Sequence, residues 1–157
     1  MATTHDHRWQ QVGGIVTVQP NGCLSPFPAN FEPPPTYVYR IRLAERTLQR
    51  LVSRSDVLYI GKGTRGRVLG LWSGQHSAVT RLTRAAWAQS NDGKPYLHVH
   101  VECRATSQPD LYEMGLLNAF VEKHGEIPPL NGRFEGWLAP RALEALADRV
   151  VGKRDAG

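Results

Sequence analysis

Between positions 26 and 35 the chain places five prolines: Pro26, Pro28, Pro33, Pro34 and Pro35. Proline fixes φ and removes a backbone donor, so this segment can be neither helix nor central strand. It reads as an extended connector, with Phe27 and Phe31 as apolar anchors, between a short leading piece and a longer body. The leading piece, 9–25, has a strand-like run at Ile15-Val16-Thr17-Val18, a turn at Pro20-Asn21-Gly22 and a short return at Cys23-Leu24. It is expected to be a small hairpin appended to the core. Residues 1–8, with His5 and His7, read as a solvated tail.

The body alternates strands and helices. In 36–43, Tyr37, Tyr39, Ile41 and Leu43 alternate with Val38, Arg40 and Arg42, as in a strand with one apolar face. A second strand is expected from Val57, Leu58, Tyr59 and Ile60. A third is expected over 96–103, with Leu97, Val99 and Val101 opposed to His98, His100 and Glu102. His98 and His100 have a spacing that metal sites use, but the strict alternation favours a half-exposed sheet face. Segment 44–55 supports two readings. Ala44, Leu48, Leu51 and Val52 fit a helix with Arg46, Arg50 and Arg54 on another stripe, and a hairpin arm is the alternative. Helical spacing recurs at 68–72 and at 77–89, where Val79, Leu82, Ala86 and Trp87 would face inward and Arg81 and Arg84 outward. A loop is expected at 90–95. Pro109 opens a further helix with Asp110 and Glu113 in its first turn, a buried stripe of Leu111, Met114, Leu117 and Val121, and Gly125 as its stop. A rigid turn at 127–132 and an amphipathic helix at 139–151 complete the pattern.

The length of 157 residues suits one domain with a sizeable core. A net charge of +5 points to a polyanion, either nucleic acid or an anionic membrane surface. The first ten residues carry no apolar run of a secretory signal, and no stretch approaches the roughly 20 apolar residues of a membrane span. Cys23 and Cys103 make no disulfide framework, so a cytoplasmic protein with reduced thiols is expected. One stretch concentrates the positive charge: Gly61, Gly63 and Gly66 are interleaved with Lys62, Arg65 and Arg67. Glycine lets a backbone approach a ligand closely, and clustered cations suit a phosphate. Here Gly61 and Gly63 are expected to turn the strand end sharply, so that Lys62 and Arg67 flank a phosphate, and Lys62, Arg65, Gly61 and Gly63 are expected to contact a nucleic-acid backbone. A basic surface turn is the plain alternative.

With these elements in order, the chain resembles the GIY-YIG nuclease family over roughly 37–131. Tyr37-Val38-Tyr39 stands at the family's first motif, and Tyr59-Ile60-Gly61 matches the second residue for residue. The first motif lacks its glycine and has Tyr37 instead. The resemblance implies an α+β fold with a small three-stranded antiparallel sheet flanked by helices. Residues 1–35 would be the hairpin and connector, 36–135 the nuclease domain, and 136–157 a helix and tail. It implies catalytic roles for Tyr39, Tyr59, Arg67, Glu113 and Asn131, with His76 as a further candidate. Glu113 would hold one Mg²⁺ or Mn²⁺. Arg67 would set a permanent cation against the phosphate, and one tyrosine would activate the attacking water while the other orients it. Asn131 would fix geometry rather than do chemistry.

The expected activity is metal-dependent hydrolysis of phosphodiester bonds in DNA, double-stranded in this reading. A restriction-type or defence role comes first and a non-specific toxin or effector nuclease second. A nucleic-acid-binding module without catalysis is the rival from another class. The protein would be a monomer or homodimer with no membrane partner. The 9–25 hairpin and segment 44–55 are the candidates for sequence recognition.

Overall fold

The structure is a computed structural model and describes residues 8–88 and 97–131. It is α+β, with an antiparallel sheet and, among the described residues, three helices. The loop expected at 90–95, the helix expected at 139–151 and all but the last residue of the tail expected at 1–8 lie outside the described residues.

Three long strands form the centre: β4 (Thr36–Leu43), β7 (Val57–Thr64) and β8 (His98–Ala105). β4 lies in the middle, pairing along its length with both neighbours. Among the described residues the sheet has six strands rather than three, because the leading piece zips onto the open edge of β8. β1 (Gln10–Gln11) and β2 (Val16–Val18) both pair with β8, and β3 (Leu24–Ser25) pairs with β2. The 9–25 hairpin is therefore built into the sheet, and Val12, Val16, Val18 and Leu24 are core residues. Its turn packs on a helix: a Cβ on Gly22 would fall 2.6 Å from the Val79 carbonyl oxygen. In the connector, Phe31 packs against the core while Phe27 is exposed.

Segment 44–55 is a hairpin arm, β5 (Leu48–Gln49) and β6 (Arg54–Ser55), and not a helix. Its tip is tied down. Val52 N–H donates to the His124 carbonyl at 2.9 Å, and Arg50 bridges Glu126 and the Ile127 carbonyl. Arg54 folds back on Thr47. The three arginines thus form no common stripe.

Two helical layers cover the sheet. On the face carrying Tyr37, Tyr39 and Ile41 lie a 3₁₀ turn (Arg65–Leu69), α1 (Gly70–Ser73) and α2 (Ala78–Ala88). Their Val68, Leu71, Trp72, Ala78, Leu82 and Ala86 join the main core. Trp87, expected inward, is exposed. On the other face α3 (Pro109–His124) packs Leu117 and Phe120 on Ile60. Pro109 begins α3 and Gly125 ends it in the left-handed conformation. Leu111, placed in its buried stripe by sequence spacing, is 63% exposed.

Gly61 and Gly63 lie inside β7 and make no turn. They stand directly across from Tyr39 and Tyr37 in the β4–β7 register. A Cβ on Gly61 would sit 2.8 Å from Tyr39 Cζ and Oη and 2.7 Å from Tyr59 Cε1. The glycines therefore make room for buried rings. Tyr39 cannot swing aside, being 1% exposed. Gly61→Ala should accordingly destabilise the fold by about 1–3 kcal/mol through overpacking. Gly66→Ala meets only Leu69 Cδ1 at 3.9 Å, and should stay within about 0.5 kcal/mol. Urea unfolding midpoints of the two variants check this pair.

Candidate active site

β4 and β7 present Tyr39 and Tyr59 on the same face of the sheet, next to the segment between α1 and α2. That segment supplies His76, set by a turn that Gly74 opens in the left-handed conformation. The His76 ring stands edge-on to both tyrosines, with centroids 5.7 Å from Tyr39 and 5.4 Å from Tyr59 at 83° and 84°. The two tyrosine rings lie 5.8 Å apart. His76, the weakest of the sequence candidates, is thus in contact with both.

The hydrogen bonds give this trio a direction. Ala78 N–H donates to His76 Nδ1 at 2.9 Å, so the neutral ring carries its proton on Nε2. That Nε2–H faces Tyr39 Oη in a hydrogen bond. With His76 donating to Tyr39 Oη, the Tyr39 O–H is free to donate to Tyr59, an interaction that raises the Tyr39 phenol and lowers that of Tyr59. The donors run from His76 through Tyr39 to Tyr59, and the last oxygen in the series is the one best prepared to carry negative charge.

Burial and charge set the titrations. Burial first, then the neighbouring Tyr59, push the Tyr39 phenol far above its ordinary value, with Arg67 pulling against them. Burial also raises Tyr59, as does the charge of Glu113, while the hydrogen bond from Tyr39 and the charges of Arg67 and Arg81 oppose them. For His76, burial and then Arg67 and Arg81 push the imidazole down to about 4. It is neutral at physiological pH.

Arg67 lies in the 3₁₀ turn, exposed, with its charge acting on Tyr37, Tyr39, Tyr59 and His76 together. Glu113 comes from α3 on the opposite layer, is 9% exposed, and stands close enough to act on Tyr59. Asn131 holds the backbone of Ile60 with both ends of its amide. Oδ1 accepts from Ile60 N–H at 3.0 Å and Nδ2 donates to the Ile60 carbonyl at 2.8 Å. It thereby fixes the strand beside Tyr59, a positioning task.

Two sequence candidates are placed elsewhere. Lys62 points to the opposite face of β7 from Tyr59 and pairs with Asp110 of α3. Arg65 is exposed at the start of the 3₁₀ turn with φ 50°. One residue joins the site that sequence spacing set apart. Arg81 of α2, read as outward, donates Nη1–H to the Leu130 carbonyl at 2.9 Å and acts on Tyr59 and His76. Nothing in the sequence separates it from Arg84, which is exposed.

Among the described residues no group of three or more His, Cys, Asp or Glu converges on a point. A nearly buried carboxylate such as Glu113 is the oxygen ligand type that a hydrated Mg²⁺ takes, since that ion binds through one or two carboxylates and keeps several waters. It does not suit a closed zinc cage. No helix among the described residues is long and apolar enough to cross a membrane.

The depressed His76 titration has a measurable consequence. Between about 6.5 and about 4 the unfolded chain takes up a proton that the folded one refuses. Stability is therefore full above pH 6.5 and falls as pH drops, by about 1.4 kcal/mol per unit. Arg40 and Arg42 overcome the burial of Glu102 and hold its carboxyl below the ordinary 4.5, so its loss begins lower still. Denaturant unfolding between pH 4.5 and 6.5 should show the slope, and His76→Gln should flatten it.

No protein-family model, curated protein or solved structure matches the chain, so its functional reading stands on this geometry and on the motif order.

Proposed function

We propose that the chain is a metal-dependent DNA endonuclease of the GIY-YIG type. The observation that carries this reading is the contact of Tyr39, Tyr59 and His76 at one site, on which the charge of Arg67 acts, with Glu113 acting on Tyr59 from a separate layer. The order of elements supports it: two antiparallel strands bearing the tyrosines, a helical segment bearing the arginine, a third strand, then the helix bearing the glutamate.

In this reading Tyr59 is the base. Its phenol is less buried than that of Tyr39, and it receives the hydrogen bond that Tyr39 gives. As phenolate it takes a proton from a water, whose oxygen forms a bond to phosphorus while the ester P–O bond opposite breaks; the leaving oxygen keeps that bond's electron pair and takes its proton from solvent water. Tyr39 holds the phenolate in place, and His76 keeps Tyr39 oriented. The Arg67 guanidinium binds the non-bridging oxygens, where negative charge grows. Glu113 would hold one Mg²⁺ or Mn²⁺, which when bound supplies positive charge for the phosphate and for the phenolate. Lys62 has no part in this scheme. DNA remains the proposed partner through Arg67 and Arg81, with Arg65 and Arg84 exposed on the same helical layer.

The two segments considered for sequence recognition are both tied into the fold, the hairpin turn against α2 and the arm tip against the end of α3. A plasmid digest separates the remaining alternatives. Discrete fragments mark a restriction-type enzyme, a smear marks a non-specific effector, and salt-sensitive binding without nicking marks a binding module.

Nicking with Mg²⁺ should stop in EDTA and in Glu113→Ala, and Tyr59→Phe should slow it by about 10²–10⁴-fold. Cleavage that survives both EDTA and Glu113→Ala sinks the mechanism. The sign of the pH dependence follows from the raised Tyr59 phenol: initial rates should climb with pH from 6 through 9, with no limb from His76, which is already neutral there.

A further inference from the structure

We infer that Tyr37 is a positioning residue for Arg67, its buried hydroxyl clamping the 3₁₀ turn that carries that arginine. The inference rests on the reading of Arg67 as the phosphate-binding cation.

Tyr37 is fully buried in β4, and its ring lies over Gly63. A Cβ at position 63 would be 2.7 Å from Tyr37 Cε2 and 2.8 Å from Cζ and Oη. The ring is therefore confined, and its hydroxyl has one place to go. There it makes two hydrogen bonds: the O–H donates to the Arg65 carbonyl at 2.8 Å, and the oxygen accepts Val68 N–H at 2.9 Å. These backbone groups bracket Arg67.

The turn needs such help. A 3₁₀ helix of five residues has few hydrogen bonds of its own and poor geometry in those it has. No side chain caps its start, and no acidic residue sits in its first turn. Its first residue, Arg65, has φ 50°, a conformation that persists where surroundings over-determine it. Two contacts hold it there, the Tyr37 hydroxyl and the bond from Arg65 N–H to the Pro35 carbonyl at 3.1 Å. Arg67 itself is exposed, so the placement of its guanidinium depends on how firmly the backbone beneath it is held. With its proton given to Arg65 and its oxygen engaged by Val68, the Tyr37 hydroxyl is committed to the backbone, and burial raises it further from ionisation. It therefore acts through Arg67 and not on the reacting atoms. The position is one where the family's first motif has glycine, which offers no hydroxyl. Tyr37 with Gly63 opposite makes the clamp a device of this chain.

Tyr37→Phe keeps the ring and removes the clamp. Amide exchange at Val68 should quicken about tenfold, while amides of the β4–β7 ladder keep their protection. Plasmid nicking with Mg²⁺ should fall about tenfold in kcat with KM for DNA little changed. In an Arg67→Ala background the same substitution should cost nothing further. Gly63→Ala, which displaces the ring and keeps the hydroxyl, should quicken Val68 exchange in the same way. An unchanged Val68 exchange rate overturns the clamp, and a full tenfold loss added on top of Arg67→Ala overturns its action through Arg67. If the unmutated chain does not nick DNA, the endonuclease reading and the catalytic half of the inference fall together, and the exchange rates alone still decide whether Tyr37 holds the turn.

Discussion

The arrangement depends on tyrosine rings lying over glycines where β4 meets β7. A strand residue normally shields its cross-strand neighbour with a Cβ, but here Gly61 and Gly63 leave that space to Tyr39 and Tyr37. Each ring then lies close along the sheet, with its hydroxyl at the far end and directed at a specific group. Tyr39 reaches His76, and Tyr37 reaches the backbone around Arg67. Aromatic pairs contribute about 0.5–1.5 kcal/mol beyond their buried area. Their larger effect in this fold is directional, because a ring confined on both sides aims its hydroxyl at one target.

The long strands were legible in the sequence because period two is hard to imitate: 36–43 and 96–103 alternate almost without exception. α3 was legible from its ends, Pro109 and Gly125. The 44–55 arm was ambiguous because its spacing fits a helix, while its actual form is set by distant partners, His124, Glu126 and Ile127. The glycines were misread for a related reason. A lone chain shows that glycine is tolerated, and only the partner strand shows whether it serves a turn or a ring. Trp87 and Leu111 fit an inward stripe by spacing and lie outside, since periodicity gives a face without saying where that face stops being covered.

The candidate site was legible as residue types and not as an assembly. Tyr39, Tyr59, Arg67 and Glu113 followed from motif order; the structure puts Tyr39, Tyr59 and His76 in contact, with the charges of Arg67 and Glu113 acting on Tyr59. Which cations belong could not be read from charge alone. Lys62 follows the glycine of the second motif, yet strand alternation turns it to the far face toward Asp110. Arg81 had the look of a solvated helix residue until the Leu130 carbonyl gave it a place. Burial resists ionisation of the phenols against the pull of two arginines, and burial with the same arginines keeps His76 neutral, so bringing a phenolate into being there requires added positive charge.

The amide of Asn131 has a consequence beyond the site. Among the described residues β7 is an outer strand of the sheet, and an uncovered outer strand is a template on which another chain can add. Leu130 N–H bonds to the Leu58 carbonyl at 2.8 Å, and Asn131 supplies at Ile60 the donor and acceptor that a neighbouring strand would have offered. The segment after α3 thus stands in for a missing strand. Loosening it would open the β7 border to self-association and would at the same time release the backbone next to Tyr59, so a loss of colloidal stability and a loss of site order would appear together.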